Sequence, residues 1–137
     1  MKTLLSLPYL NLYLHEKPVP VLELNWLSYV SSANFHAATL QALHFSELHH
    51  VQAWIGDDRM LGAIRPIDTG WAEQHILTPL SQAGLQRFAL LDSQIALNQL
   101  IIGDMYKRIK PVVDYEIRHF TDLSEARAWA LGIATVV

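Results

Sequence analysis

The order of hydrophobic periods along the 137-residue chain predicts one α/β domain spanning 1–137, with a mixed sheet of about five strands and about four helices. Three observations carry that prediction. Two alternating apolar and polar segments at the N-terminus are joined by the short turn His15-Glu-Lys-Pro18, the pattern of an antiparallel β-hairpin. From Ser31 onward, stretches with helical spacing alternate with short apolar strands, which requires a largely parallel sheet. No linker, internal repeat or low-complexity tract divides the chain.

Each element has a local reason. Leu5 to Leu14 reads as the first strand, and its alternation changes parity at Pro8, which predicts a bulge or an edge position. Val19 to Leu27 alternates as the second strand. Ser31-Ser32 caps a helix that begins at Ala33 and carries Phe35, Ala38, Thr39, Ala42 and Leu43 at helical spacing. Val51 to Ile55 is a short buried strand ended by Gly56-Asp57-Asp58, and Leu61 to Ile67 is extended or an irregular crossover. Asp68 or Thr69 starts a second helix with Trp71, Ile76 and Leu77. Pro79 kinks or restarts it, and Gly84 stops it. The nearly continuous apolar run Arg87 to Asp92 predicts a strand buried on both faces. Ile95 to Ile109 is a third helix, blocked by Pro111. Val112 to Phe120 alternates as a half-exposed strand. Asp122-Leu-Ser-Glu125 has capping-box spacing, and Leu123, Ala126, Trp129 and Ala130 share one face of the last helix. Val136-Val137 is expected to fray.

Composition narrows the function classes. Apolar residues make up 51% of the chain and charged residues 17%, a globular balance far from the disordered class. The net charge is −3, and the densest cations, Lys107, Arg108 and Lys110, are a poor footprint for nucleic acid. There are no cysteines, which excludes disulfides, thiolate metal sites and cysteine nucleophiles. Pro8 and Asn11 interrupt the N-terminal apolar run, so a signal-peptide core is not expected, and no segment approaches the roughly 20 apolar residues of a membrane span. A cytoplasmic protein is the expectation. Low charge with four Trp and five Tyr predicts apolar surface shared with a protein partner, most simply a second copy in a homodimer.

Several joints carry a resemblance: Trp54-Ile-Gly-Asp-Asp-Arg59 after the first helix, Trp71 in the next, Pro79-Leu80, Gly84-Leu-Gln-Arg-Phe-Ala-Leu-Leu91, and Phe120-Thr-Asp-Leu-Ser-Glu-Ala-Arg-Ala-Trp129. From about Leu22 onward the chain resembles the STAS-like fold, in particular bacterial STAS-related proteins grouped with lipid-transfer-type and anti-sigma-factor-antagonist domains. The resemblance implies a small regulatory or ligand-binding domain. Antagonists of that kind carry a phosphorylatable serine in an Asp-Ser-x-Gly turn at a helix N-terminus. The nearest match here is Asp92-Ser93-Gln94-Ile95, which lacks the glycine and lies one strand–helix unit later. Ser93 is therefore a candidate phosphorylation site, with an ordinary helix cap as the alternative.

Asp57, Asp58, Arg59 and Asp92 form the sharpest candidate ligand-binding cluster. They follow predicted strand ends, where open α/β sheets bind ligands. The plainer reading of Asp57, Asp58 and Arg59 is a solvated turn in which Asp58 pairs locally with Arg59. Trp26, Trp54, Trp71 and Trp129 are candidates to line an apolar pocket, with core packing as the alternative. The seven histidines show no metal-ligand spacing, so no metal and no cofactor is expected. No Gly-x-Ser-x-Gly occurs. The sequence thus favours a non-enzymatic regulatory or protein-interaction domain with an exposed apolar patch at the N-terminal hairpin. A small-molecule or lipid-binding domain with a Trp-lined pocket is one alternative, and an enzyme using Asp57, Asp58 and Asp92 is the other.

Overall fold

The computed structural model describes residues 1–133, so the expected fraying of Val136-Val137 lies outside the described residues. Six strands make one mixed sheet: β1 (Lys2–Leu7), β2 (Leu10–His15), β3 (Val21–Trp26), β4 (Ala53–Asp57), β5 (Arg87–Leu91) and β6 (Glu116–Phe120), side by side in chain order. The pairs β1–β2 and β2–β3 are antiparallel, and β3 to β6 run parallel. The expected first strand is thus two. Pro8-Tyr9 forms a tight turn between them, because a residue with fixed φ and no N–H favours reversal over pairing. The parity change at Pro8 marks that reversal. A register shift does occur nearby, between Thr3 and Leu5.

The helical segments are α1 (Ser32–Leu48), α2 (Pro66–Ala72), a π-helical turn (Glu73–Leu77), α3 (Thr78–Gln82), α4 (Ala96–Ile109) and α5 (Leu123–Leu131). The middle three are continuous, so four helical units stand where about four were expected. Helix α2 begins at Pro66 rather than at Asp68 or Thr69, since proline suits a first helical turn whose N–H groups have no partner. Pro79 does not break the unit. The Thr78 N–H reaches back five residues to the Glu73 carbonyl, and this wider turn relaxes the ladder where the proline ring would crowd it. Ser31 Oγ accepts from the Asn34 N–H at 3.2 Å, Asp122 Oδ1 accepts from the Ser124 N–H at 3.4 Å, and Gly132 ends α5 at φ 71°. Strand β6 is shorter than expected. Asp114 donates its N–H to Ser81 Oγ and the Tyr115 hydroxyl donates to the Leu77 carbonyl, both 2.8 Å, so this segment docks on the helix layer before pairing with β5.

Because each crossover steps the same way across the sheet and parallel crossovers share one hand, α1, the α2–α3 unit and α4 lie on one face. The strands meet them with Leu22, Leu24, Trp26, Trp54, Phe88 and Leu90. Helix α5 follows the last strand and covers the other face over β4 and β5. There Ala126 and Ala130 pack against Val21, Ala53, Ile55, Ala89 and Leu91, small residues that let the helix approach closely. A buried ion network fastens this helix: Arg127 donates to both Glu23 oxygens at 2.8 and 2.9 Å, and His15 Nε2 lies 2.9 Å from Glu23 Oε1. Burial by itself would raise the Glu23 carboxyl, but the hydrogen bonds and charges of His15 and Arg127 overcome it and lower the group to about 2.

Candidate functional site

The parallel strands all end at one edge of the sheet, and the fate of each carboxylate there follows from strand alternation. The backbone stays extended past Asp57, since the Asp58 N–H continues the ladder to the Leu91 carbonyl at 3.0 Å. Trp54, Gly56 and Asp58 therefore face the α1–α4 layer, while Ile55 and Asp57 face α5. Adjacent in sequence, the two carboxylates point to opposite sides. The reading of Asp57, Asp58 and Arg59 as a solvated turn missed this divergence.

Asp57 is fully engaged. Its Oδ1 accepts from Arg59 Nε at 2.9 Å, and its Oδ2 accepts from Arg59 Nη2 at 2.9 Å and Asn25 Nδ2 at 3.2 Å. Arg59 thus clamps Asp57 in a two-point fork, which corrects the local pairing of Arg59 with Asp58. Asp92 lies at the surface, 3.0 Å from His119 Nδ1. Ser93 is 2% exposed, and its Oγ accepts from the Ile95 N–H and from Asn98 Nδ2, both at 3.2 Å. The expectation of an accessible Ser93 hydroxyl at a helix N-terminus is corrected accordingly: the hydroxyl is buried and engaged at the start of α4. The four acidic-cluster residues occupy three separate environments.

Asp58 is the exception among them. It is 7% exposed and makes no side-chain hydrogen bond among the described residues; no fully buried side-chain polar atom there lacks a partner, so its oxygens border open space rather than closed packing. Burial, then the charges of Asp57 and Asp92, push it up to about 7. It lines a cavity of about 70 Å3 between the sheet and α1, α2, the π-helical turn and α4. The walls are apolar and aromatic: Trp26, Trp54 and Phe88 from the strands, and Phe35, Ile76, Ile102 and Met105 from the helical layer. Gly56 leaves space beneath them, since a Cβ there would stand 3.1 Å from the Phe88 ring. The Thr39 and Thr69 hydroxyls donate to the Phe35 and Pro66 carbonyls of their own helices and so turn away from polar duty in the cavity. Tyr106, 8% exposed on α4, brings a hydroxyl that likewise has no partner among the described residues. Burial and then the Asp58 charge push that phenol well above its ordinary range. A buried tyrosine normally finds a partner for its hydroxyl, so Tyr106 was legible as more than an apolar residue of its helix, and sequence reasoning passed over it.

Two of the four tryptophans, Trp26 and Trp54, meet at this cavity. Trp54 is anchored by its Nε1 donating to Ser46 Oγ at 2.7 Å. Trp71 stacks between His36 and His75, and Trp129 lies on the α5 face between Arg87 and Arg118. The segment from Leu61 to Ile64 closes the cavity from above. Asn98 holds it: Oδ1 accepts from the Ile64 N–H at 2.9 Å, and Nδ2 donates to the Gly62 carbonyl at 2.8 Å. A second polar cluster links α1 to α2, where Asp68 accepts from Ser32 Oγ at 2.8 Å and pairs with His36 Nε2 at 3.1 Å. Ser32 and His36 both bind the carboxylate and not each other, so this is a helix-to-helix clamp. Among the described residues no group of three His, Cys, Asp or Glu side chains could hold a metal ion, and no helix is long and apolar enough to cross a membrane.

Apart from Met1, the exposed large apolar side chains do not gather on the N-terminal hairpin. Tyr29, Met60, Ile67 and Leu97 stand, 61–73% exposed, on or beside the loops that follow β3, β4 and β5. These loops touch: the Gly62 N–H donates to the Ser28 carbonyl at 3.2 Å.

No family model matches the chain, and no curated protein matches it. Among solved structures, an uncharacterized protein of the DUF3478 family from Shewanella loihica PV-4, described as having a SpoIIAA-like fold, superposes with a TM-score of 0.58. The match covers 92% of this chain and 97% of that one at 14% identity. The architecture is thus the SpoIIAA-like, or STAS-like, α/β fold that the joints of the sequence led us to expect.

Proposed function

We propose that this chain is a cytoplasmic binding module that acts without catalysis and takes a small apolar molecule into the cavity between β3–β5 and the α1–α4 layer. The observation that carries the reading is a 70 Å3 space walled by aromatic rings and lined by two polar side chains, Asp58 and Tyr106, that make no hydrogen bond to a described residue and border that space. Ligand sites are typically apolar with a few convergent polar groups of this kind. An engineered cavity of about 150 Å3 accepts benzene, so 70 Å3 suits a group of about three or four heavy atoms.

Dissolved xenon probes the space without assuming any polar chemistry. Amide and methyl NMR signals of Trp26, Ile76 and Met105 should shift on pressurising with xenon. Ala72→Leu, which fills the cavity from the α2 side, should suppress the shifts. Equal shifts in the filled variant, or none in the parent, would remove the reading.

A second reading rests on the apolar rim of Tyr29, Met60, Ile67 and Leu97. Four strongly exposed apolar residues beside the loops that follow β3, β4 and β5 favour a regulatory contact with a protein partner, most simply a second copy. Sedimentation velocity across a hundredfold concentration range decides it. A concentration-independent monomer rules out self-association.

A further inference from the structure

The electrostatics of the cavity specify more than apolarity, and the following step rests on the apolar-ligand reading above. Three carboxylates lie near the ends of β4 and β5. Asp57 has Arg59 and Asn25 against it, and Asp92 has His119. Asp58 has no cation and no hydrogen-bond donor among the described residues. No Lys, Arg or His is among the residues that line the cavity. Tyr106 on α4 lines the same cavity, while Asp57, turned to the other face of its strand, and Asp92, at the surface after β5, act on Asp58 only through their charge. From α1 and α2 come only the Thr39 and Thr69 side chains, whose hydroxyls are turned to their own helix carbonyls.

We infer that the ligand carries a single ammonium end, held between the Asp58 carboxylate and the Tyr106 hydroxyl oxygen, with its short apolar body against Trp26, Trp54 and Phe88. An ammonium offers three N–H donors to two open acceptors and cancels the buried charge at Asp58. A carboxylate ligand would add a fourth anion to the same neighbourhood. A neutral alcohol would satisfy both polar groups, but it leaves the buried charge uncompensated.

Three isosteric probes separate these cases: n-propylammonium, n-propanol and propionate, followed by NMR titration at pH 6 and pH 8. Propylammonium should bind tightest. Its apparent affinity should rise about tenfold from pH 6 to pH 8, as the ionised fraction of Asp58 climbs from about one tenth to about nine tenths. Asp58→Asn should abolish propylammonium binding and keep propanol, and Tyr106→Phe should weaken propylammonium severalfold. Propanol binding as tightly as propylammonium at pH 8, or Asp58→Asn binding both alike, overturns the inference and leaves the apolar-ligand reading standing. If all three probes and xenon stay out, both fall together.

Discussion

Replacing Asp58 by asparagine keeps the shape of the side chain and removes its ionisation, so it isolates what this buried carboxyl costs the fold. In the unfolded chain the group titrates near 3.8, and in the fold near 7. Between those values the folded protein holds a proton that the unfolded chain has released. Stability therefore falls as pH rises from about 4 through 7 and levels off above. At about 1.4 kcal/mol per pH unit of separation, an ionised Asp58 costs the native state about 4 kcal/mol above pH 7. The asparagine carries its own desolvation cost of about 1–3 kcal/mol, because the cavity gives its amide no partner either. The net expectation is a variant about 1–3 kcal/mol more stable than the parent at pH 8, and equal to it or slightly weaker at pH 5. Urea unfolding followed by tryptophan fluorescence at several pH values measures this directly. All other groups titrate alike in both proteins, so the difference between the two curves reports Asp58. Parallel stability profiles from pH 4 to 8 would refute the reasoning and would mean that the carboxyl reaches water or an unrecognised partner.

The remaining predictions concern the contacts that hold the site in place. Glu23, lowered from 4.5 to about 2, contributes about 3 kcal/mol that is fully present above pH 4.5 and is lost as pH falls toward 2, so Glu23→Gln should flatten the acid limb of the stability profile. Arg127→Met leaves that buried carboxylate with His15 alone, and urea denaturation should show a loss of about 3–5 kcal/mol. Asn98→Leu strips partners from the Ile64 N–H and the Gly62 carbonyl; the Ile64 amide should then exchange with deuterium at least tenfold faster while amides of β4 change little. Gly62→Ala puts a Cβ 2.6 Å from the Tyr29 Cα, so thermal unfolding should show a loss of about 1–3 kcal/mol, with chemical-shift changes confined to the two contacting loops.

Much of the fold was legible because it is written in local periods. The cap at Ser31, the buried strand Arg87 to Leu91, the helix ending at Ile109 and the Asp122-capped terminal helix all stand within a residue or two of where the sequence puts them. Misreadings came where one residue type serves two local structures. Pro8 fits a bulged edge and a tight turn equally, and only the pairing of Leu7 with Leu10 shows the turn. Pro79 normally ends a helix, yet the π-helical turn before it lets the unit continue to Gln82. Gly56-Asp57-Asp58 has the composition of a turn, but it continues the strand because Leu91 supplies a ladder partner.

The sequence by itself determined the alternation of strands and helices from Val19 onward, and with it an α/β sheet of mixed direction, because helix and strand periods arise within a few residues. Tertiary structure alone decided the chemistry. A strand's faces invert with a shift of one residue, so only the assembled sheet sends Asp57 to Arg59 and Asp58 into the cavity. The pairing of Glu23 with Arg127 spans 104 residues, and the cavity shared by Asp58 and Tyr106 joins a strand end to a distant helix. No local pattern encodes such encounters, because they form only when the two faces of one sheet are covered by different helices.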